Sequence, residues 1–221
     1  MTEETAHELV HRLAERLDPV RTVLIRTTHP GNIGATARAL KVMNLSQLHL
    51  VQPRTFPHAE ASARASGAAD LLQAAAVHDS LEQALEGCSL VLGTSARLRS
   101  LSLPQVDVRR AAELALDERG GQVAVLYGRE ATGLTNEEIQ RCHYLVHIDT
   151  NPEFGSLNLA QAVQVMAYEM RMTAAARSGV EAGRERAPAD WEPVDGAQME
   201  RFYAHLEQTL LDLRFLNPAQ P

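Results

Sequence analysis

Lysine is almost missing from this chain: of 21 basic residues, only Lys41 is lysine and the rest are arginine. Arginine suits bidentate contacts to phosphate, although compositional bias of the host genome accounts for most of the ratio. Cysteine is scarce too. Cys88 and Cys142 are the only two, and neither sits in a C-x-x-C. That argues against a disulfide framework or a zinc ribbon and fits a reducing, cytoplasmic compartment. No stretch approaches 18 uncharged apolar residues, and the N-terminus is acidic. Neither a membrane span nor a secretory signal is therefore expected. Several catalytic signatures are absent as well. There is no G-x-x-x-x-G-K-[ST], no G-x-G-x-x-G after a strand and no G-x-S-x-G, which disfavours P-loop, dinucleotide-binding and α/β-hydrolase chemistry. The nine histidines show neither H-E-x-x-H nor clustering with cysteine, so no catalytic metal is expected. His143 and His147 are four apart on an expected strand, and a structural or surface role is the better reading for both. No Cys–His or Ser–His pair stands out for covalent catalysis.

What is present is ordinary globular composition: 221 residues, 45% apolar and 22% charged. This suits one large domain or one domain plus an appendage. The net charge is −7, which at first speaks against a nucleic-acid partner, but the acidity lies mostly at the ends. Residues 1–18 carry five acidic and two basic side chains, and residues 179–221 carry eight and four. Residues 19–120 are mildly basic, with eleven basic against nine acidic.

The periodicity predicts an N-terminal helix over 5–17, with Leu9, Leu13 and Leu17 on one face and a stop at Asp18-Pro19. Strands are predicted at 20–27, 48–53, 89–97, 122–128 and 144–148. Helices are predicted at 35–44, within 58–76, at 79–88 with Asp79 as N-cap, at 106–120 ended by Gly120-Gly121, and at 156–177. Thr135 to Glu138 match a capping box. Strands alternating with helices predict a mostly parallel α/β sheet flanked by helices. Residues 178–195, rich in glycine, proline and charge, read as a linker. Residues 196–213 read as an amphipathic helix with Met199, Phe202, Tyr203, Leu206, Leu210 and Leu213 on or near one face.

In open α/β sheets ligands sit beyond the carboxyl ends of the strands, and four such segments are unusual. In THPGNIGATAR (28–38), Gly31 and Gly34 allow a tight turn, Asn32 can cap the next helix, and the helix N-terminus offers N–H groups to an anion. LGTSAR (92–97), YGREATGLT (127–135) and NPEFGSLN (151–158) each combine glycine with polar side chains. Converging, they would form a pocket made largely of backbone, able to hold a small polar ligand.

Together, H-x-G-N-I-G-x-x-A-R, V-x-G-T-S-A-R, Y-G-R-E-x-x-G-L-T-N-E-E and N-P-E-x-x-S-L-N-L-A-x-A-V-Q resemble those of the SPOUT superfamily of RNA methyltransferases. In the first, His29 stands before Pro30 and Gly31, and Arg38 closes the motif. More closely, the chain is similar to the bacterial TrmJ type, which methylates the 2′-hydroxyl of cytidine or uridine at anticodon-loop position 32 of tRNA. The likeness covers about residues 20–176 and continues through RFYAHLEQTL (201–210). It implies an α/β fold with a C-terminal trefoil knot, S-adenosyl-L-methionine as cofactor, no metal, a tRNA partner and a homodimer. The cofactor is then expected against Thr94, Ser95, Ala96, Gly128, Ile148, Gly155, Ser156 and Leu157. Arg38 matches the family's catalytic arginine and is expected near the cofactor of the other subunit, with Asn32, Glu130, Ser156 and Asn158 as nearby polar groups.

Since a guanidinium does not readily lose its proton in proteins, Arg38 is better suited to stabilise developing oxyanion charge or clamp a neighbouring phosphate than to act as a base. Glu130 reads equally well as a structural cap. The resemblance divides the chain into an N-terminal helical extension (1–18), a methyltransferase domain (19–178), a linker (179–195) and a C-terminal helical extension (196–221). Relatives usually begin at the first strand and continue past HLEQTL into a basic stretch, whereas this chain has an acidic helix ahead of that strand and reads RFLNPAQP at the end. Arg38, Lys41, Arg54, Arg64, Arg97 and Arg99 are the cations that a dimer would gather into an RNA groove. Three alternatives stay open: a related knotted methylase acting on ribosomal RNA, a non-catalytic RNA-binding module with the same fold, and an α/β protein binding some other adenosine ligand, against which the missing dinucleotide glycine pattern weighs.

Overall fold

A computed structural model describes residues 11–96, 103–118, 120–178 and 192–216. The chain divides into two units, Met1–Ala182 and Gly183–Pro221. In the first, residues 11–17 are helical (α1), and Leu13 and Leu17 are buried. Leu9 and the expected start of that helix lie outside the described residues.

The apolar runs form a seven-stranded, wholly parallel sheet in the order β3-β2-β1-β6-β4-β7-β5. Its strands are β1 (Val20–Ile25), β2 (Gln47–Val51), β3 (Ala76–His78), β4 (Cys88–Thr94), β5 (Gln105–Asp107), β6 (Gln122–Tyr127) and β7 (Tyr144–His147). The central strands are near-continuous apolar runs because a parallel sheet is covered on both faces. On β6, Val123, Val125 and Tyr127 enter one apolar layer, and Ala124 and Leu126 enter the other. The first layer is closed by α1, α2 (Pro30–Val42), α3 (Ala59–Ala65), α4 (Ala69–Gln73), α6 (Val108–Asp117) and α8 (Leu159–Arg177). The second is closed by α5 (Leu81–Ala84), α7 (Asn136–Ile139) and the Leu134 and Cys142 side chains. Two late strands lie inside the sheet: β6 separates β1 from β4, and β7 separates β4 from β5.

The structure corrects several sequence expectations. Sheet edges β3 and β5 are three residues each, too short to show alternation. Asp107 ends β5 and caps α6, accepting from Arg110 N–H at 2.7 Å. The expected 106–120 helix is therefore shorter at both ends, stopping at Asp117. Ser80 rather than Asp79 caps α5. The glycine-rich 30–34 is helix, not turn. Pro30 occupies the first turn, where its missing N–H costs nothing, and His29 is the N-cap, accepting from Gly31 N–H. Gly34 is required by packing: a Cβ there would lie 2.0 Å from the Ala61 carbonyl oxygen on α3. His143 lies outside β7 and accepts the Val91 N–H of β4 through Nδ1 at 2.9 Å. The expected 156–177 helix begins at Leu159, leaving 156–158 in the loop before it.

The expected linker lies mostly outside the described residues. In the second unit, α9 (Gly196–Asp212) is capped by Asp195 in a box with Gln198, and Met199, Phe202, Tyr203, Leu206 and Leu213 are exposed. Among the described residues no helix is long and apolar enough to cross a membrane.

Candidate active site

Parallel strands point their carboxyl ends one way, so the segments following β4, β6 and β7 emerge together. The last of them runs on to α8, and together the three enclose a cavity of about 850 Å³, within the range of small-molecule sites. Thr94, Ser95, Ala96, Gly128, Ile148, Gly155, Ser156 and Leu157 all line it, as do Glu130 and Asn158. Arg38 and Asn32 do not, although Asn32 reaches the same network through Glu130 and Asn158.

Each loop is held by its own polar contacts. Thr94 Oγ1 donates to the Leu126 carbonyl at 2.8 Å, and Ser95 N–H donates to the Val146 carbonyl at 3.0 Å, which ties the end of β4 to β6 and β7. The loop after β6 doubles back on itself. Arg129 and Gly133 exchange backbone hydrogen bonds of 3.2 and 2.8 Å, and Gly133 adopts φ +69°, a region glycine enters freely. Gly128 is packed beneath this turn, where a Cβ would come within 2.1 Å of the Gly133 carbonyl carbon. The Arg129 guanidinium grips both Glu138 carboxylate oxygens at 3.0 Å, and Glu138 also completes the capping box with Thr135. Before α8, Thr150 Oγ1 donates to the Gly155 carbonyl at 3.1 Å, and Asn151 Oδ1 accepts from Glu153 N–H at 3.0 Å.

Glu130 links these loops to the end of β1. Its carboxylate accepts from Thr28 N–H, Thr28 Oγ1, His29 N–H and Asn32 Nδ2, the last at 3.0 Å. The anion at the N-terminus of α2 is thus the chain's own. Partial burial would raise the Glu130 carboxyl, but the hydrogen bonds from Asn32, its own backbone, Thr28 and His29 outweigh burial and hold it below the usual carboxylate range. Asn158 Nδ2 in turn donates to Asn32 Oδ1 at 3.0 Å, while Asn158 Oδ1 caps α8 through Ala160 N–H. Asn32 therefore does not cap α2; its side chain bridges Glu130 to Asn158.

Arg38 is exposed on α2, and its side chain makes no hydrogen bond or ion pair among the described residues. Of the other expected groove cations, Lys41 is taken by Asp70 and the Gly67 carbonyl, Arg54 and Arg64 are exposed, and Arg97 and Arg99 lie outside the described residues. Arg129, Thr132 and Leu134 also line the cavity; the sequence placed them in the pocket-forming segment 127–135 without singling them out, and the glycines five apart, Gly128 and Gly133, are what let that segment close on itself. Among the described residues no three His, Cys, Asp or Glu side chains gather as metal ligands.

Residues 19–168 match the model of the SpoU rRNA methylase family, and the chain belongs to that family. It is 54% identical over 211 residues to the tRNA (cytidine/uridine/adenosine-2′-O-)-methyltransferase TrmJ of Pseudomonas aeruginosa, covering 93% of this chain and 82% of that one. The crystal structure of TrmJ from Z. mobilis superposes with a TM-score of 0.67 at 32% identity, over 90% of this chain and 82% of that chain. An AdoMet-bound rRNA methyltransferase from Sinorhizobium meliloti superposes with a TM-score of 0.55 at 26% identity, over 73% and 60%.

Proposed function

We propose that this chain transfers a methyl group from S-adenosyl-L-methionine to the ribose 2′-hydroxyl of cytidine or uridine in tRNA, at anticodon-loop position 32, as a cytoplasmic homodimer. One observation carries the reading: three strand-end loops converge on a cavity in which, among the described residues, the one lining cation, Arg129, is already bound by Glu138. Among those residues a phosphorylated nucleotide would find no unpaired cation. S-adenosyl-L-methionine carries no phosphate and fits a lining of backbone groups, hydroxyls and small apolar side chains. Thr94 to Ala96, Gly128, Ile148 and Gly155 to Leu157 would hold it. Bound there, it supplies a methyl on a sulfonium, electrophilic without a metal.

The chain's own residues then position the acceptor. Holding reactants in line is worth on the order of 7–11 kcal/mol, and the braced loops suit that task. Arg38 does not line its own cavity and is free of partners among the described residues. Both facts support its delivery to the second subunit's site, where its guanidinium stabilises developing charge on the 2′-oxygen or clamps the adjacent phosphate. Residues 19–178 form the methyltransferase domain, 1–18 and 196–221 its helical extensions, and 179–195 the linker. A trefoil knot in the domain's C-terminal part is supported by the insertion of β6 and β7 between earlier strands.

Mass mapping of ribose methylation on tRNA and ribosomal RNA tests this, with wild type and Arg38→Ala compared. A 2′-O-methyl group at position 32, lost in Arg38→Ala, is the expected result. Methylation confined to ribosomal RNA overturns the substrate, and Arg38→Lys with most of kcat retained overturns a bidentate role.

A further inference from the structure

We propose that Phe154 is a stacking platform for a nucleobase of the substrate RNA beside the reacting ribose; this rests on the methyltransferase reading above. Phe154 is 84% exposed, although phenylalanine has no polar atom to reward exposure. It stands between cavity-lining neighbours: Pro152 and Gly155 to Leu157 line the cavity, whereas Phe154 does not. The residue therefore sits at the rim rather than on the floor that receives the cofactor.

The ring is carried on a braced backbone. Phe154 N–H donates to the Asn151 carbonyl at 3.0 Å, closing a turn with Pro152 at its second position, as such turns favour. Glu153 N–H is held by Asn151 Oδ1, and the Gly155 carbonyl by Thr150 Oγ1, so both chain neighbours of Phe154 are pinned. A platform ordered in advance loses little entropy on binding.

Charge decides which part of an RNA the ring meets. Between Asp149 and Asn158 the only charged side chains are Asp149 and Glu153, which repel phosphate. The base faces carry no such charge. In RNA loops, unstacked bases are commonly taken up by aromatic rings, with about 1–3 kcal/mol per base lost on alanine substitution.

The test uses the full chain, tRNA and S-adenosyl-L-methionine with wild type, Phe154→Ala, Phe154→Leu and Phe154→Tyr. Expected is a fall in kcat/KM for tRNA of about 5–150-fold in the alanine variant, little recovery with leucine and recovery with tyrosine. Cofactor affinity by calorimetry should stay at the wild-type value. 2-Aminopurine at the methylated position or beside it should be quenched by wild type and less by Phe154→Ala. The proposal is overturned if leucine matches wild type, if cofactor affinity falls in step with activity, or if alanine changes the oligomeric state instead. Wild-type enzyme that leaves tRNA unmethylated sinks the underlying functional reading, whereas active wild type with an equally active alanine variant sinks the stacking role alone.

Discussion

Asn158 Nδ2 donates to Asn32 Oδ1 at 3.0 Å across 126 positions of sequence. Through it, the N-terminus of α8 is joined to that of α2, and through Asn32 Nδ2 to Glu130 in the loop after β6. Two cavity-forming segments and the N-terminus of α2 thus share one hydrogen-bonded chain. Asn32→Ala leaves an Asn158 donor and a Glu130 lone pair without this partner. Because the contact is solvent-accessible, Asn32→Ala and Asn158→Ala should each lose about 0.5–1.5 kcal/mol. The double variant should lose less than the sum, with a coupling of about 0.5–3 kcal/mol. Urea denaturation of the four proteins measures it; strict additivity would mean the two side chains act independently.

Glu130→Gln removes the charge that the end of β1 and the start of α2 surround. A carboxyl held below its ordinary value adds stability above that value, near 4.5, and loses it as pH falls through the lower folded value. The variant should be less stable than wild type at pH 7, and the gap should close below about pH 4. Parallel denaturation curves at both pH values check this; a gap that widens in acid contradicts it.

His49 and His78 stack on neighbouring strands, with Nδ1 and Nε2 2.9 Å apart. Burial first, then the Arg21 charge and His78, lowers His49 from 6.5 to about 4. Between those values the unfolded chain binds the proton more readily, so stability should fall as pH drops from 6.5 towards 4. His78 is shifted the same way by burial and Arg21, opposed by Glu86. His49→Gln should flatten the slope of melting temperature in that window; an unchanged slope assigns it to other groups.

Gly128→Ala drives a methyl group into the backbone of Gly133 and Leu134, 2.1–2.5 Å away. The loop must open to admit it, at a cost of about 1–3 kcal/mol for overpacking. Calorimetry with S-adenosyl-L-methionine should show binding weakened at least tenfold, roughly the 1.4 kcal/mol equivalent, in a protein that still folds. Full affinity would show that the doubled-back loop is not part of the binding surface.

The sheet was legible where its strands are long. β1, β4 and β6 carry apolar runs set off by polar turns, whereas β3 and β5 are stretches of three residues that pair only because longer neighbours offer an edge. The cavity lining was legible because its loops follow strands and carry Gly128, Gly155 and the hydroxyls of Thr94 and Ser95. The bridging role of Asn32 was not. Its partners, Glu130 and Asn158, stand 98 and 126 residues away, and no local pattern encodes such pairings. Gly31 and Gly34 misled for a physical reason: glycine serves tight turns and close helix approach alike, and here it serves the approach of α2 to α3.

The interleaving of β6 between β1 and β4, and of β7 between β4 and β5, imposes an order on biosynthesis. When the ribosome has released only the first hundred or so residues, β4 and β5 have no ladder partner at all, because every strand they pair with is encoded later. β4 and β5 wait with unpaired edges for the last two strands to slot between those already made, and such non-local pairing is slow and exposed to aggregation. A chain stopped before residue 144 would leave β5 with no ladder partner and one edge of β4 bare.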